Sequence, residues 1–388
     1  MKKISVLTAN RAEYGLIKPI VQKLMNHAEL DVRVIVTGAH LSQEFGLTYQ
    51  EIEQDGIPID EKIEILLNSD TPAAISKSMG LAMIGFADYF SRLKPDLLLV
   101  LGDRFETFSV CIAAMNQRIP IAHLYGGETT EGAVDESIRH AITKMSHLHF
   151  TSTEQYRQRV IQLGEHPDRV FQVGAIGVEN ITTLPLLSKA ELESSIQFKL
   201  DTPYALVTFH PVTLENDSSA TQFQELLHAI RRFPNMNFIF SLANPDTNGR
   251  IINKMIEAYT HENEHAISFA SLGSHRYLSA MKYAAMVIGN SSSGLIEAPS
   301  LGIPTINIGD RQLGRMSADS VIHCEPRAEA IKRSIEKALT EDFKNKASRV
   351  LNPYGDGNTS DKVVAIVKDF ILHNKIVLKK TFYDVEVT

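Results

Sequence analysis

Two sets of side chains in this sequence have the types and spacing to do chemistry. One is acidic: Asp103 in "GDRFE", Glu128 after the double glycine of "HLYGGE", and Asp135 with Glu136 in "VDESIRH". Carboxylates gathered in one place can take and return a proton, provided that burial or a charged neighbour moves their acidity toward the working pH. Each also has a plain reading, Asp135 as a helix N-cap and Glu136 as an ion-pair partner of Arg139 or His140. The second set is neutral. In "GNSSSGLIEA", Ser291, Ser292 and Ser293 lie between an apolar run ending at Ile288 and a predicted helix over Leu295 to Leu301. One serine suits the N-cap, where a hydroxyl accepts a free backbone N–H. The other two are solvated hydroxyls, or they line an anion seat where hydroxyls, N–H groups and a helix dipole meet a phosphate. Arg11 in "RAEYG" likewise reads as an exposed turn residue or as a guanidinium for a diphosphate.

Regular elements must position these residues. Short β-branched runs, Ile4 to Leu7, Val32 to Val36, Leu97 to Leu101, Pro120 to His123 and Leu148 to Thr151, alternate with segments whose apolar residues recur every three or four positions. The alternation predicts an α/β fold, a parallel sheet wrapped by helices. It lapses into polar sequence around Asn180 to Asp201, a predicted domain junction. It restarts with Ala205 to Phe209, Asn237 to Leu242, Ala266 to Phe269, Met286 to Ile288 and Thr305 to Ile308, and a last helical pattern covers Asp361 to His373. Two doubly wound domains are expected to face each other across a cleft, with ligands at the carboxyl ends of the strands. The polar loops "TANRAEYG", "TGAH", "HPVT", "LANPDTNG" and "GDRQLGR" fall at those same ends.

Composition excludes several classes. A chain of 388 residues suits two domains, and 44% hydrophobic content without low-complexity tracts describes a soluble globular protein. A net charge of -7 and a pI near 6.1 argue against a nucleic-acid partner. The apolar run of "MKKISVLTAN" is too short for a signal peptide, and no stretch is long enough for a bilayer, so a cytoplasmic protein is expected. Cys111 and Cys324 read as buried free thiols, in keeping with a reducing compartment. His123, His140, His147 and His149 crowd one segment, but His140 falls on a helix while His147 and His149 alternate with apolar neighbours, so structural roles are predicted and no metal. Without a G-x-x-x-x-G-K-[ST] loop or a well-placed G-x-G-x-x-G, the phosphate belongs neither to a P-loop ATPase nor to a dinucleotide held in the usual way.

Taken in order, "RAEYG", "VTGAHL", "LGDRFE", "HLYGGETTEGAVDESIRHAITKMSHLHF", "FHPVT" and "GNSSSGLIEAPSLGIPTINIGDRQLGR" resemble the UDP-N-acetylglucosamine 2-epimerases, in particular the hydrolysing branch that supplies N-acetylmannosamine for sialic acid. The resemblance runs from Lys3 to the last helix. It implies a glycosyltransferase-B type of fold of two Rossmann-like domains, with an acidic domain over 1–180, a nucleotide domain over 181–360, and a final segment 361–388 whose helix returns to the first. It implies catalysis by Asp103, Glu128, Asp135 and His210, and UDP binding by Arg11, His210, Asn244, His275, Ser291, Ser292, Ser293, Gly294 and Glu297. Glu297 matches the ribose position, and Ser271 to Tyr277 the region near the uracil. In one departure, many relatives have Glu two residues after the histidine of "HLYGGE", where this chain has Tyr125, and Glu128 is expected to take over part of that work. The partners implied are a nucleotide sugar, UDP and further copies of the chain as a dimer or tetramer, with no cofactor.

The implied reaction joins the two sets. A C2 proton beside an acetamido group is not acidic, but as UDP departs from C1 positive charge grows there, and a carboxylate can remove C2–H to give 2-acetamidoglucal. Arg11, His210 and the serine loop would stabilise the leaving diphosphate. Water then adds at C1 while C2 is protonated from the opposite face, releasing N-acetylmannosamine and UDP. Alternatives are the same reaction on UDP- or GDP-linked N,N'-diacetylbacillosamine for legionaminate, a glycosyltransferase of the same fold, and a protein that only binds sugar nucleotides.

Overall fold

A computed structural model describes residues 1–69, 71–131, 133–212, 218–243, 249–355 and 357–385. The chain forms two compact units. The first comprises Met1–Glu128, Asp135–Glu179 and Gly357–Thr388, the second Thr129–Val134 and Asn180–Asp356.

In the first unit, β1 (Lys2–Thr8), β2 (Leu30–Thr37), β3 (Ile59–Ile63), β4 (Leu97–Leu101), β5 (Ile121–Leu124), β6 (Leu148–Thr151) and β7 (Val170–Gln172) form one parallel sheet in the order β3-β2-β1-β4-β5-β6-β7. In the second, β8 (Tyr204–Thr208), β9 (Asn237–Ser241), β10 (Ala266–Phe269), β11 (Met286–Gly289), β12 (Thr305–Ile308) and β13 (Val321–Cys324) form another in the order β10-β9-β8-β11-β12-β13. Each sheet runs outward from its first strand, then reverses, at β1/β4 in one unit and β8/β11 in the other. Loops diverge at such a reversal and leave room for a ligand outside the carboxyl ends of the strands. Every strand expected from the apolar runs forms. The additional strands, β3, β7 and β13, all lie at sheet edges.

Central strands such as Leu97–Leu101 and Tyr204–Thr208 are buried on both faces, which is why they read as unbroken apolar runs. In the first unit Phe86, Tyr89 and Phe90, on the helix Pro72–Leu93, pack with Leu98 and Val100. In the second, Phe209, Phe223, Phe238 and Phe240 share one core with Ile288 and Ile306. Each such ring contributes about 1.5–3 kcal/mol by leaving water.

The polar stretch read as a junction is helical. Ile176–Thr183 and Lys189–Ile196 are helices, the latter opened by a capping box between Ser188 and Glu191 and burying little beyond Leu192 and Ile196. With so few apolar contacts it leaves almost no period to read. The last helix, Thr359–Leu372, packs in the first unit against the helix Arg11–Met25. Asn358 gives it no side-chain cap; instead the buried Glu179 carboxylate accepts from the Ser360 N–H at 2.6 Å and from the Ser360 hydroxyl. Cys111 is buried, whereas Cys324, on the edge strand β13, is partly exposed. Among the described residues no helix is long and apolar enough to cross a membrane.

Candidate active site

In the first unit the chain leaves β4 into Gly102–Asp103 and leaves β5 into Tyr125–Glu128. These strands are parallel neighbours, so both segments emerge at the same end of the sheet. Arg139, on the helix Asp135–Met145 and 1% exposed, gathers them. Its guanidinium donates to Asp103 Oδ2, to Glu136 Oε2 at 2.6 Å and to the main-chain oxygen of Glu128 at 2.9 Å. The Glu128 side chain is buried and accepts from Ser152 Oγ at 2.9 Å, while the side chains of Asp103 and Glu136 remain 22% and 24% exposed. Thus a single cation pairs two carboxylates that reach solvent and holds the backbone of a third residue, whose carboxylate lies inside the protein. Glu136 also meets His140 Nε2 at 3.0 Å, so both ion-pair partners expected for it are present. Asp135 is the first residue of the helix.

The double glycine does not leave Glu128 loose. Gly127 has φ +78°, and a Cβ there would lie 2.4 Å from the Tyr156 carbonyl oxygen, while Arg159 Nη1 donates to the Gly127 oxygen at 2.6 Å. Glycine permits a close approach here rather than mobility. Tyr125 is buried with φ 69°, uncommon for an aromatic residue, and its hydroxyl accepts from the Ile176 N–H at 2.9 Å at the start of the helix Ile176–Thr183.

The first unit buries further polar groups. His123 Nε2 sits 2.8 Å from the Gly102 oxygen, and burial pushes this imidazole down to about 3, so it is neutral. His149, paired with His123 across β5 and β6, lies 3.0 Å from Glu165; burial pushes its pKa down in spite of that carboxylate. His40 bridges Thr8 and Thr48 at 2.9 and 2.8 Å and is pushed to about 3, first by burial and then by Arg11. Glu13 goes the other way, up to about 7, through burial and then the charge of Glu106, although it accepts from the Ala9 N–H at 2.8 Å. Arg11 begins the helix after β1, and its Nε donates to Glu51 at 2.8 Å. Among the described residues no group of three or more His, Cys, Asp or Glu side chains could hold a metal ion.

In the second unit, β11 ends at Gly289 with φ +138°, where a Cβ would lie 1.9 Å from the Thr208 oxygen, so glycine alone lets β11 run this close to β8. Asn290 follows, wholly buried. Its side chain accepts from the His210 N–H at 2.7 Å and donates to the His210 oxygen at 2.8 Å. Its own carbonyl accepts from Gln312 Nε2 at 2.8 Å and Arg311 Nη1 at 3.0 Å. Asn290 thereby ties the ends of β8 and β11 to the loop after β12. The backbone N–H groups of Ser291 and Ser292 find no acceptor among the described residues. Ser293 Oγ is met by Tyr277 Oη at 2.5 Å and Ser291 Oγ at 3.1 Å. Burial raises the Tyr277 phenol, keeping it a neutral hydroxyl.

The helix predicted over Leu295 to Leu301 is interrupted. One α-turn, Ser293–Ile296, is followed after Glu297 by a 3-10 turn, Ala298–Leu301, and the Ser292 side chain makes no capping bond. Pro299 has no N–H to donate, which ends the α ladder. A single turn has little macrodipole, so an anion here would be met by local N–H groups and hydroxyls. Gly294 is the second residue of that α-turn, its carbonyl accepting from Thr305 Oγ1 at 2.7 Å. His275 is exposed on the helix Gly273–Tyr283, with Nε2 2.5 Å from the Pro185 oxygen, and it is Tyr277 of that helix which reaches the serines. Asn244 lies outside the described residues.

The sequence offered Arg139 only as a partner for Glu136 and Tyr277 only within the segment near the uracil, and it did not single out Asn290. Arg139 carried a signal, since it stands three residues from Glu136 on one helix face, but Asp103 is far away in sequence. Asn290 finds His210 across 80 residues and Tyr277 finds Ser293 across 16.

The family model for UDP-N-acetylglucosamine 2-epimerase matches residues 22–368. The chain is 44% identical over 344 residues to the GDP/UDP-N,N'-diacetylbacillosamine 2-epimerase (hydrolyzing) of Campylobacter jejuni, covering 88% of this chain and 89% of that one. It is 44% identical over 386 residues to polysialic acid biosynthesis protein P7 of Escherichia coli, covering 99% and 98%. Among solved structures, UDP-GlcNAc 2-epimerase from Neisseria meningitidis, crystallised with UDP-GlcNAc, matches with a TM-score of 0.78 at 20% identity, covering 95% of this chain and 100% of that one. That likeness is one of fold, two Rossmann-like domains of the glycosyltransferase-B type. With a family match across most of the sequence and relatives this similar over nearly full length, the chain belongs to the UDP-N-acetylglucosamine 2-epimerase family.

Proposed function

We propose that the protein is a hydrolysing 2-epimerase, converting a nucleotide-linked 2-acetamido sugar into the free 2-epimer and the nucleoside diphosphate. The observation that carries this reading is that Arg139 pairs the solvent-reaching carboxylates of Asp103 and Glu136 and also holds the backbone of Glu128, whose own carboxylate is buried against Ser152, so that carboxylates in two environments are tied to one residue. Removal of C2–H and return of a proton to the opposite face need two such groups with different surroundings. Asp103 and Glu128 are assigned these transfers, with Asp135 and His210 assisting. Ser291, Ser292 and Ser293, together with Arg11, His210 and Gly294, are assigned the diphosphate, and Glu297 the ribose. Asn244 and His275 keep a proposed role at the nucleotide from the family pattern alone.

The C1–O bond breaks as C2–H is removed, leaving a glycal and the diphosphate. Water then adds its oxygen to C1 and gives up one proton to a carboxylate, while a carboxyl group delivers a proton to C2; the proton first taken from C2 leaves to solvent, so both carboxyl groups return to their starting states and atoms and charge balance. The Campylobacter relative supports N,N'-diacetylbacillosamine as the sugar. UDP-N-acetylglucosamine is the second reading, favoured by the match with the polysialic acid protein over 99% of this chain. The test is incubation in deuterium oxide with UDP-N,N'-diacetylbacillosamine, its GDP counterpart and UDP-N-acetylglucosamine. Free sugar deuterated at C2 is expected, with the first substrate fastest. Product protonated at C2 would rule out the elimination, and product still bearing nucleotide would rule out hydrolysis. Turnover only with a sugar acceptor would point to a glycosyltransferase.

A further inference from the structure

Glu128 ends one stretch of the first unit, and the next six residues, Thr129–Val134, belong to the second unit before the chain returns at Asp135. Two arginines grip the backbone at this crossing. Arg139 donates to the carbonyl of Glu128 at 2.9 Å, and Arg315 Nε donates to the carbonyl of Thr129, the very next one, at 3.1 Å. Around Arg315 the fit is close: the Glu131 N–H donates to the Leu313 oxygen at 3.3 Å, and a Cβ on Gly314 would lie 2.9 Å from Thr129 Oγ1. The same turn reaches the serine loop at its other end, since Arg311 and Gln312 both donate to the Asn290 carbonyl. From Asn290 to Thr129 there is thus a short hydrogen-bonded path through one turn, and Glu128 is the next residue along the chain.

We propose that Arg315 is a positioning residue for Glu128, setting the backbone on one side of this carboxylate as Arg139 sets it on the other, and that a nucleotide on the serine loop steadies Glu128 through the turn Asp310–Arg315. The inference rests on the proton-transfer role assigned to Glu128. Arg315 itself acts through the main chain. Its loss leaves the charge of the carboxylate untouched and releases its place, and a misplacement of about 1 Å can cost on the order of 10²-fold in rate.

The test uses the full chain with Arg315→Met and Arg315→Lys. Hydrogen exchange of the Thr129–Glu131 amides is measured with and without UDP. In the wild type UDP is expected to slow this exchange. In Arg315→Met exchange should rise about tenfold and the UDP effect should vanish, with Arg315→Lys restoring part of both because one donor to the Thr129 carbonyl remains. With UDP-N,N'-diacetylbacillosamine and UDP-N-acetylglucosamine, Arg315→Met should lower kcat about tenfold or more while the Kd for UDP stays within about twofold. On a Glu128→Gln background it should lower kcat little further. Additive losses, weakened UDP binding with unchanged kcat, or unaltered exchange in either variant would overturn the proposal. Full turnover by Glu128→Gln alone would instead overturn the role of Glu128, and the exchange measurement would still decide the docking. Should Arg315→Met fail to fold, the Lys variant and wild-type UDP protection carry the same decision.

Discussion

The two units share a winding order but bury different kinds of polar group. Among the described buried residues of the first unit are Glu13, Glu106, Glu128, Glu165 and Glu179, with Arg139 and the neutral histidines His40, His123 and His149. In the second, no buried described residue is a carboxylate, lysine or arginine. Amides and hydroxyls such as Asn290, Gln312, Thr305 and Ser279 carry the polar contacts, with His210 beside them. The difference follows from the work proposed for each. Moving a proton needs groups whose charge can change, and burying them costs free energy unless they are paired. Holding a diphosphate needs dipoles that do not change, and amides and hydroxyls supply these at lower desolvation cost.

This contrast can be broken most severely at Arg139. Arg139→Met leaves Asp103 and Glu136 without their shared cation and should destabilise the protein by about 3–5 kcal/mol as well as abolishing turnover, with melting temperature and activity as readouts. A variant as stable as wild type would show that the cluster is not organised by this residue. Next come the carboxylates. Glu128→Gln and Asp103→Asn should each lower kcat by about 10²-fold or more with UDP affinity nearly unchanged, because an amide keeps the shape and loses the proton. Loss of UDP binding in either would move the nucleotide into the first unit.

Acid should separate the units. Unfolded histidines gain a proton below about 6.5, whereas His40 and His123 resist until about 3, so across that interval the unfolded state binds more protons and stability falls as pH is lowered. Glu13, raised to about 7, has the opposite sign, stabilising below its ordinary value of 4.5 and losing that contribution as pH rises through 7. Hydrogen exchange at pH 5 against pH 7 is expected to loosen β2, β5 and β6 more than any strand of the second unit, and equal loosening of both would remove the distinction. In the second unit, Ser292→Ala or Glu297→Ala should weaken UDP binding about tenfold with kcat at saturation largely kept, since such contacts are made equally in ground and transition states. Calorimetry with UDP distinguishes this from a loss of turnover alone. The smallest effect is expected at Tyr125. Tyr125→Phe removes the acceptor of the Ile176 N–H and should cost about 1 kcal/mol in stability with turnover nearly intact, seen as a small drop in melting temperature. A dead but folded Tyr125→Phe enzyme would transfer to the phenol the role assigned to Glu128.

The sequence by itself determined the α/β class, the strands buried on both faces and the polar loops at their ends. It did so because a strand covered by helices on both sides must be apolar throughout, while a loop that leaves it is free to be polar. Edge strands escaped for the converse reason. Ile59–Ile63 reads "IDEKI" and is half exposed, so its apolar pattern is too thin to stand out. The acidic residues and the serines could be picked from their types alone. What only the tertiary structure decided was their company. Arg139 meets Asp103 36 residues away, and Asn290 meets His210 across 80. Pro299 stopped the helix that was expected to face an anion, and Gly127 fits against Tyr156 so closely that the backbone before Glu128 is held in place. Spacing along a chain carries information about neighbours on one helix or strand; partners brought together by sheet order are set by the packing of many segments at once.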